Sequence, residues 1–570
     1  MQASQRDYWL RRRTSRRRAL IVTGLAAPSA AFLAACGDED VASPAPTATR
    51  SVAGQPSGPQ VGGSLVWQSF GDPQGGLELI KTFNPGVYQL ASLTHDGLLD
   101  FAYGQPGNPG IGVAAVPSLA QALPEISADK LTITFKLRPA RFHNGRDLTA
   151  EDAKWTYDTL ASAEESAYRQ ALGWIEATEA PDPSTFVVKA RFPNADVVPG
   201  LTFYSFGAIL AREHQESAAA ETSLMGSGPF TFVEYSPPGV ARYARKADYV
   251  TAPGLPYFGE VTRLGSSDET KRQADALAGN VHFSYWFTGS ERDQIKNDRP
   301  ELQVFQYQTA GSGSVYIRND VAPFNDKRVR QALSMGYDRQ LLSKTVSNSE
   351  GLPDQALSRT GEAWEFRGPE ELLRSDLYTL DLAEARKLMA AANQQEPIAV
   401  NLPTWGAGVI GQRFLDEITS ITTQWRNNGL VDAALVEDTF ATSGPRQLGN
   451  YETLQWGANA TSTLPSLGIA VRNKYYAPPQ GVMPPTMNIC YVNNPTLNSL
   501  LDAQVQEFDR AARLALFRQI EDILSEDMVH TSGVTSSELA YFLDPSIKGA
   551  QVPRDAYNGS VAWIKHWYFE

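Results

Sequence analysis

The stretch VPSLAQALPEISADKLTITFKLRPARFHNGRDLTAEDAKWTYDTL, Val116 to Leu160, decides how this chain is read. From Leu131 to Leu137 apolar and polar residues alternate at period two, with β-branched Thr and Ile, which predicts a half-buried strand. Pro139 ends it. His143-Asn144-Gly145 supplies residue types that tolerate positive φ in a tight turn. Thr149 followed by Glu151 and Asp152 then predicts a helix start, with carboxylates against the positive end of the helix dipole. The unit is strand, turn, capped helix.

PSLA, the strand and LRPARFHNGRDLTAEDAKWTY together resemble the signature region of the family 5 extracellular solute-binding proteins, the peptide-, nickel- and sugar-binding receptors of ABC importers. Three further motifs follow in the family's order: GSGPFTFVEY at Gly226–Tyr235, RKADYV at Arg245–Val250 and PFNDKRVRQALSMGYDRQLL at Pro323–Leu342. The resemblance covers residues 61 to 570. It implies an α/β, two-lobed periplasmic-binding-protein-like fold (type II, large cluster) with an extra subdomain in lobe I and a ligand cleft between the lobes.

At 570 residues the chain exceeds what one hydrophobic core sustains, about 250 to 300 residues, so at least two cores are expected. The aromatic content (24 Phe, 22 Tyr, 11 Trp) describes a folded protein rather than a disordered one. Residues 1–18 hold seven Arg and one Asp; setting that local +6 apart from the total of −13 leaves −19 on the remainder. Such a body lacks the basic footprint that nucleic acid requires, and no nucleic-acid partner is expected.

Arg11–Arg13 and Arg16–Arg18 precede a 17-residue apolar run, Ala19–Ala35, which reads as an export signal. Thr14 to Leu20 resembles a twin-arginine signal, with Ala19 where that pattern usually has Phe. Leu33-Ala34-Ala35-Cys36 resembles a bacterial lipobox, which implies cleavage before Cys36, lipid attachment to its thiol, and anchorage at the outer face of the cell membrane or in the periplasm. The only other cysteine is Cys490, so lipidation of Cys36 leaves no disulfide and no cysteine metal cluster. Residues 37–60, rich in Pro, Ala, Ser, Thr and Gly, read as a disordered tether.

In the body, strands are expected at Gly62–Phe70, at the end of Leu90–Phe101, at Thr185–Phe192 and between Gly228 and Leu264, with a helix over Thr270–Gly279. SVYIRND reads as a strand, RVRQALSMGYDRQLL as one helix, Asp381–Asn393 as another, and Ile398–Leu402 as a buried strand. Mixed βα units in two blocks imply two α/β lobes. Lobe I is assigned to 61–308 with an inserted subdomain over about 84–220, lobe II to 309–530, and a return to lobe I to 531–570.

Gly406-Ala407-Gly408-Val409-Ile410-Gly411 matches G-x-G-x-x-G after a strand and before a helical run, with Asp432 about twenty residues on. Against a dinucleotide site, Leu402-Pro403-Thr404-Trp405 separates strand from glycines, and the loop reads instead as a cleft-mouth loop. The six histidines (His95, His143, His214, His282, His530, His566) are scattered, and no H-E-x-x-H, G-x-S-x-G or Walker-type motif is present. His143 reads as a turn residue and Cys490 as a small buried hydrophobe. A glycosidase built on Glu437 and Asp438 is disfavoured, because neighbouring strand residues point to opposite faces. No catalytic residue, cofactor or metal is expected.

Binding remains, and aromatic side chains carry it. Tyr285 and Trp286 follow a strand that, by resemblance, lies at the interlobe cleft, and Trp456 falls where the family has a ligand-facing Trp. Trp405 is a further candidate. In peptide-binding members an Asp three residues after that Trp pairs with the peptide's α-ammonium. Asn459 stands here, and Thr453 stands where an Arg is presented, so neither supplies a charge for a peptide terminus. The expected ligand-binding set is Tyr285, Trp286, Trp405, Trp456 and Asn459. The implied function is a monomeric receptor that delivers a peptide or other small solute to an ABC permease and ATPase, with an oligosaccharide or other non-peptide solute as the alternative. A sensor that binds a partner protein is a third possibility.

Overall fold

The computed structural model describes residues 59–570 apart from 70–72, 74–75, 82–84, 104–113, 170, 203–206, 238, 267, 286–288, 309–311, 360–365, 406–411, 439–449, 460–466, 478–487, 536–537 and 553–560. The expected export signal, Cys36 and all but Pro59 and Gln60 of the expected tether lie outside the described residues.

Strand Ser64–Ser69 begins the body, with Leu65 and Trp67 fully buried. It pairs in parallel with Glu260–Gly265 and with Phe283–Tyr285, so its partners come from far along the chain. The sheet has seven strands in the order Phe230–Ser236, Val240–Arg245, Glu260–Gly265, Ser64–Ser69, Phe283–Tyr285, Glu538–Leu543, Gln303–Gln308. Strand Glu538–Leu543 enters from the C-terminal end of the chain and is antiparallel to both neighbours. Phe283 packs edge-on against Trp563 and Trp567, with centroids 5.5 and 5.3 Å away, so the chain's last residues close this core.

The Val116–Leu160 unit is built as its pattern dictates. Strand Thr132–Lys136 buries Ile133 and Phe135 and lies in a four-stranded antiparallel sheet with Glu125–Ile126, Thr185–Ala190 and Ile175–Asp182. Gly145 turns the chain at φ +87°, a conformation that L side chains rarely adopt. Helix Ala150–Ser162 starts at Thr149, whose N–H donates to Asp152 Oδ2 at 2.8 Å. Arg146 then binds Asp152 (2.7 Å) and Glu213 (2.8 Å), tying turn, helix start and helix Arg212–Gln215 together. The GSGP motif packs beneath: a Cβ on Gly226 would lie 2.2 Å from Thr94 O, so only glycine permits that approach. His143 is a turn residue whose Nε2 faces Gly228 O at 3.1 Å.

The second sheet has three antiparallel strands, Leu454–Asn459, Ser312–Ile317 and His530–Thr535, accompanied by a parallel pair, Ile398–Trp405 with Val431–Asp438. Its main cores are distinct from the first and include Val315, Trp425 and Trp456 in one cluster, and Tyr475, Cys490 and Phe517 in another, while Ile469 and Val505 join the first. Burial pushes the Cys490 thiol up to about 12. The chain passes from the first sheet to the second between Gln308 and Ser312 and returns between Thr535 and Glu538. Residues 531–535 therefore pair within the second sheet, and the return assigned to 531 falls after Thr535.

Two local expectations are corrected. RVRQALSMGYDRQLL forms two helices, Lys327–Met335 and Arg339–Val346, because the chain breaks at Gly336 and the Asp338 carboxylate accepts Gln340 N–H and Leu341 N–H as a new cap. The strand at Ile398 is not a buried run ending at Leu402; it continues to Trp405 and alternates, with Ile398, Leu402 and Thr404 buried and Ala399 and Asn401 exposed.

The buried histidines make stability pH-dependent. Burial lowers His95 to about 3, and His143 and His566 to about 4. The folded state holds these rings neutral while the unfolded chain protonates them near 6.5, so their contribution is present above pH 6.5 and lost as pH falls towards 4. Each steepens the loss by up to about 1.4 kcal/mol per pH unit. Urea midpoints should fall between pH 7 and pH 5; a flat profile would refute neutral burial.

Candidate functional site

The two crossings bring the same ends of both sheets together. At the first sheet, Tyr285 pairs with Tyr541 and Gln308 with Glu538. At the second, Ser312 pairs with both Asn459 and Thr535. Asn459, chosen from sequence, thus lies at the crossing end of its sheet, while Tyr285 ends its own strand opposite Tyr541, three residues short of Glu538. Trp286 lies outside the described residues. Trp405 ends its strand opposite Asp438; for it and for Asn459 only the backbone is described. Thr453 sits at the other end of the Trp456 strand, where its carbonyl accepts Arg318 N–H at 2.9 Å.

Tyr285 is 1 % exposed. Its hydroxyl accepts from Gln89 Nε2 and its ring lies 5.7 Å from Tyr541, within the core of the first half. Trp456 is equally buried, and its Nε1 has no hydrogen-bond partner among the described residues. A buried indole N–H without an acceptor costs about 1–3 kcal/mol, and a ligand oxygen would satisfy it.

Beside Trp456 lies a buried carboxylate that the sequence reading missed. Glu417, on helix Gln412–Asn427, is fully buried; its Oε1 accepts Val534 N–H at 2.9 Å and its Oε2 lies 3.5 Å from Arg413 Nη1. Burial raises its pKa, and the Arg413 guanidinium opposes that. Two glycines make the room. A Cβ on Gly533 would stand 2.0 Å from Glu417 Oε1, and one on Gly313 would stand 1.9 Å from the Trp456 ring. Gly313 and Gly533 lie on the two strands that lead into the crossings. The available signal was a lone acid on an apolar helix face, since Phe414, Glu417, Ile418, Ile421 and Trp425 share the buried side.

The other chemistry considered does not assemble here. The glycine loop 406–411 lies outside the described residues, but Asp432 pairs with Ala399 while Trp405, at the glycine end, pairs with Asp438. Six residues of strand, about 20 Å at about 3.3 Å each, thus separate Asp432 from that end. The strand runs unbroken to Trp405, so the separation expected over Leu402–Trp405 is absent; it is the placement of Asp432, ion-paired with Arg426, that removes the ribose contact. Glu437 is exposed and Asp438 buried, on opposite faces of one strand. Among the described residues no group of three or more His, Cys, Asp or Glu is placed to hold a metal, and no helix is long and apolar enough to cross a membrane.

Two α/β sheet systems joined by two short crossings define the class: this is the two-lobed fold of the type II periplasmic binding proteins. The receptor AgaA from Agrobacterium tumefaciens R10, solved with agropinic acid, superposes with a TM-score of 0.75 at 20% identity over 89% of this chain and 99% of its own. DppA from Helicobacter pylori, solved with the peptide STSA, gives 0.73 at 17% identity over 90% and 99%. Residues 114–444 match the family model "Bacterial extracellular solute-binding proteins, family 5 Middle", and the chain belongs to that family, one of binding proteins. A putative ABC transporter peptide-binding protein of Brucella ovis is 23% identical over 445 residues, 74% of this chain and 80% of that protein.

Gly313→Ala tests the packing of Trp456. The added methyl overlaps a rigid buried ring, and overpacking of this kind costs about 1–3 kcal/mol. A melting temperature lowered by several degrees, with a changed near-UV tryptophan signal, is expected; an unaltered melt would show that the ring is free to move.

Proposed function

We propose that this protein is the substrate-binding receptor of an ABC importer, which captures a peptide or other small solute between two lobes and delivers it to a membrane permease. The observation that carries this reading is family membership over residues 114–444, supported by two sheets that the chain links twice. The Brucella ovis relative carries the peptide-binding name, and the two solved receptors hold a peptide and agropinic acid. In this reading lobe I is 61–308 with its insertion, lobe II runs from 309 through Thr535, and the last strands return to lobe I. Cys36 carries the lipid that tethers the receptor outside the cell, residues 37–60 are the tether, and the chain itself performs no chemistry.

Ligand contacts are assigned to Tyr285, Trp286, Trp405, Trp456 and Asn459. Asn459 favours the second reading, a non-peptide or blocked ligand, because an amide cannot neutralise an α-ammonium in a desolvated cleft. Closure follows from contacts made to both lobes, since only differential affinity shifts an open–closed equilibrium.

Native mass spectrometry of the purified protein should reveal a retained small molecule. Trp456→Ala should lower its affinity at least tenfold, about 1.4 kcal/mol. A retained peptide with a free amino terminus would overturn the Asn459 argument, and undiminished affinity would remove Trp456 from the site.

A further inference from the structure

Asp196 belongs to the segment that follows strand Thr185–Ala190 in the first half, yet its carboxylate is spent entirely on the second half. Oδ1 lies 2.7 Å from Arg513 Nη1, on helix Arg510–Asp527, and Oδ2 accepts Ile469 N–H at 2.9 Å, in the first turn of helix Leu467–Tyr475. The aspartate thus caps a helix of the opposite half and pairs with a guanidinium beside it. Both side chains are almost fully buried, 2% exposed for Asp196 and 4% for Arg513. Gly468 lets the three groups converge: a Cβ there would stand 1.9 Å from Arg513 Nη2 and 2.7 Å from Asp196 Oδ2. Gln504 Oε1 accepts from Arg513 at 3.1 Å, and Ala195 N–H donates to Val505 O at 2.8 Å. Around the pair, Ile469 and Val505 of the second half pack into the same apolar cluster as Val197 and Leu201 of the first. Lys130 Nζ lies 3.6 Å from the Phe508 ring.

We propose that Asp196 is a closure latch, a positioning residue that stabilises the ligand-holding state without touching the ligand. The inference rests on the receptor reading above, and three features favour a latch over a static brace. The contact joins the two halves away from both crossing strands, so opening about those strands separates it. It is dry, and a buried ion pair of this kind exists only while the surfaces around it exclude water; parted, both ions regain hydration. Its seat, helix Leu467–Tyr475, begins eight residues beyond Asn459, the last residue of the Trp456 strand, so the latch and the candidate ligand strand are successive elements among the described residues.

The test reads the open–closed equilibrium directly. Spin labels are placed on the full chain at Val250→Cys and Leu373→Cys, exposed positions in the first and second halves, with Cys36→Ser; Cys490 is buried and takes no label. No solute is added. Asp196→Asn, which keeps an acceptor for Ile469 N–H but loses the charge, and Arg513→Gln should each lower the closed-to-open ratio at least tenfold. The double variant should lose less than the two singles combined. An unchanged ratio in both singles, even with a lowered melting temperature, would make the pair a static brace and overturn the latch. Two populations that shift with Asp196→Asn but not with any added peptide or other small solute would leave a closure contact and overturn the receptor reading on which the ligand-holding role rests; a single distance in every variant overturns the latch whatever is bound.

Discussion

Both passages of the chain between the two sheets are paired to each other at either end: Gln308 with Glu538 on one side, Ser312 with Thr535 on the other. The strands that lead into these passages are antiparallel on both sides, and a two-stranded ribbon of that kind bends more readily than it stretches. The flanking strands fix the register there, while the bodies beyond keep largely distinct cores that meet again only where Ile469 and Val505 join the first cluster. The C-terminal strand sustains this constraint, because Glu538–Leu543 lies inside the seven-stranded sheet between Phe283–Tyr285 and Gln303–Gln308 and cannot leave without splitting it.

Electrostatics around the ribbon is arranged by exclusion of water rather than by surface charge. Glu417 sits against both strands that lead into the crossings, with glycines at 313 and 533 giving it and Trp456 room and Arg413 beside it, so an ionisable group is buried next to the passages between the halves. Away from the ribbon, Asp196 and Arg513 use the same device, with glycine 468 supplying the space. In both places a missing Cβ, not a special backbone angle, is what the glycine contributes.

Much of the architecture was legible in the sequence because local signals and global fold agree there. The alternation over Leu131–Leu137, the turn at Gly145 and the start of a helix at Thr149 each specify one short-range choice, and the fold adopts all three. Reading failed where one residue changed the outcome: Asp338 starts a second helix inside an otherwise continuous amphipathic run. The candidate site was less legible. Tyr285 and Asn459 were chosen by resemblance to the family and each ends its strand, but Glu417, Arg513 and Asp196 act through contacts more than 100 residues away in sequence, which no periodicity encodes. Asp432 shows the converse: the right spacing after a glycine loop, at the wrong end of its strand.

Cys490 is enclosed among Tyr316, Tyr475 and Phe517, with its thiol held far from ionisation, and no second thiol exists anywhere beyond residue 36. Covalent cross-linking therefore plays no part in assembling residues 37–570. Such a body can reach its native state equally well in a reducing or an oxidising compartment, and the timing of folding relative to passage through a membrane is left free of any redox requirement.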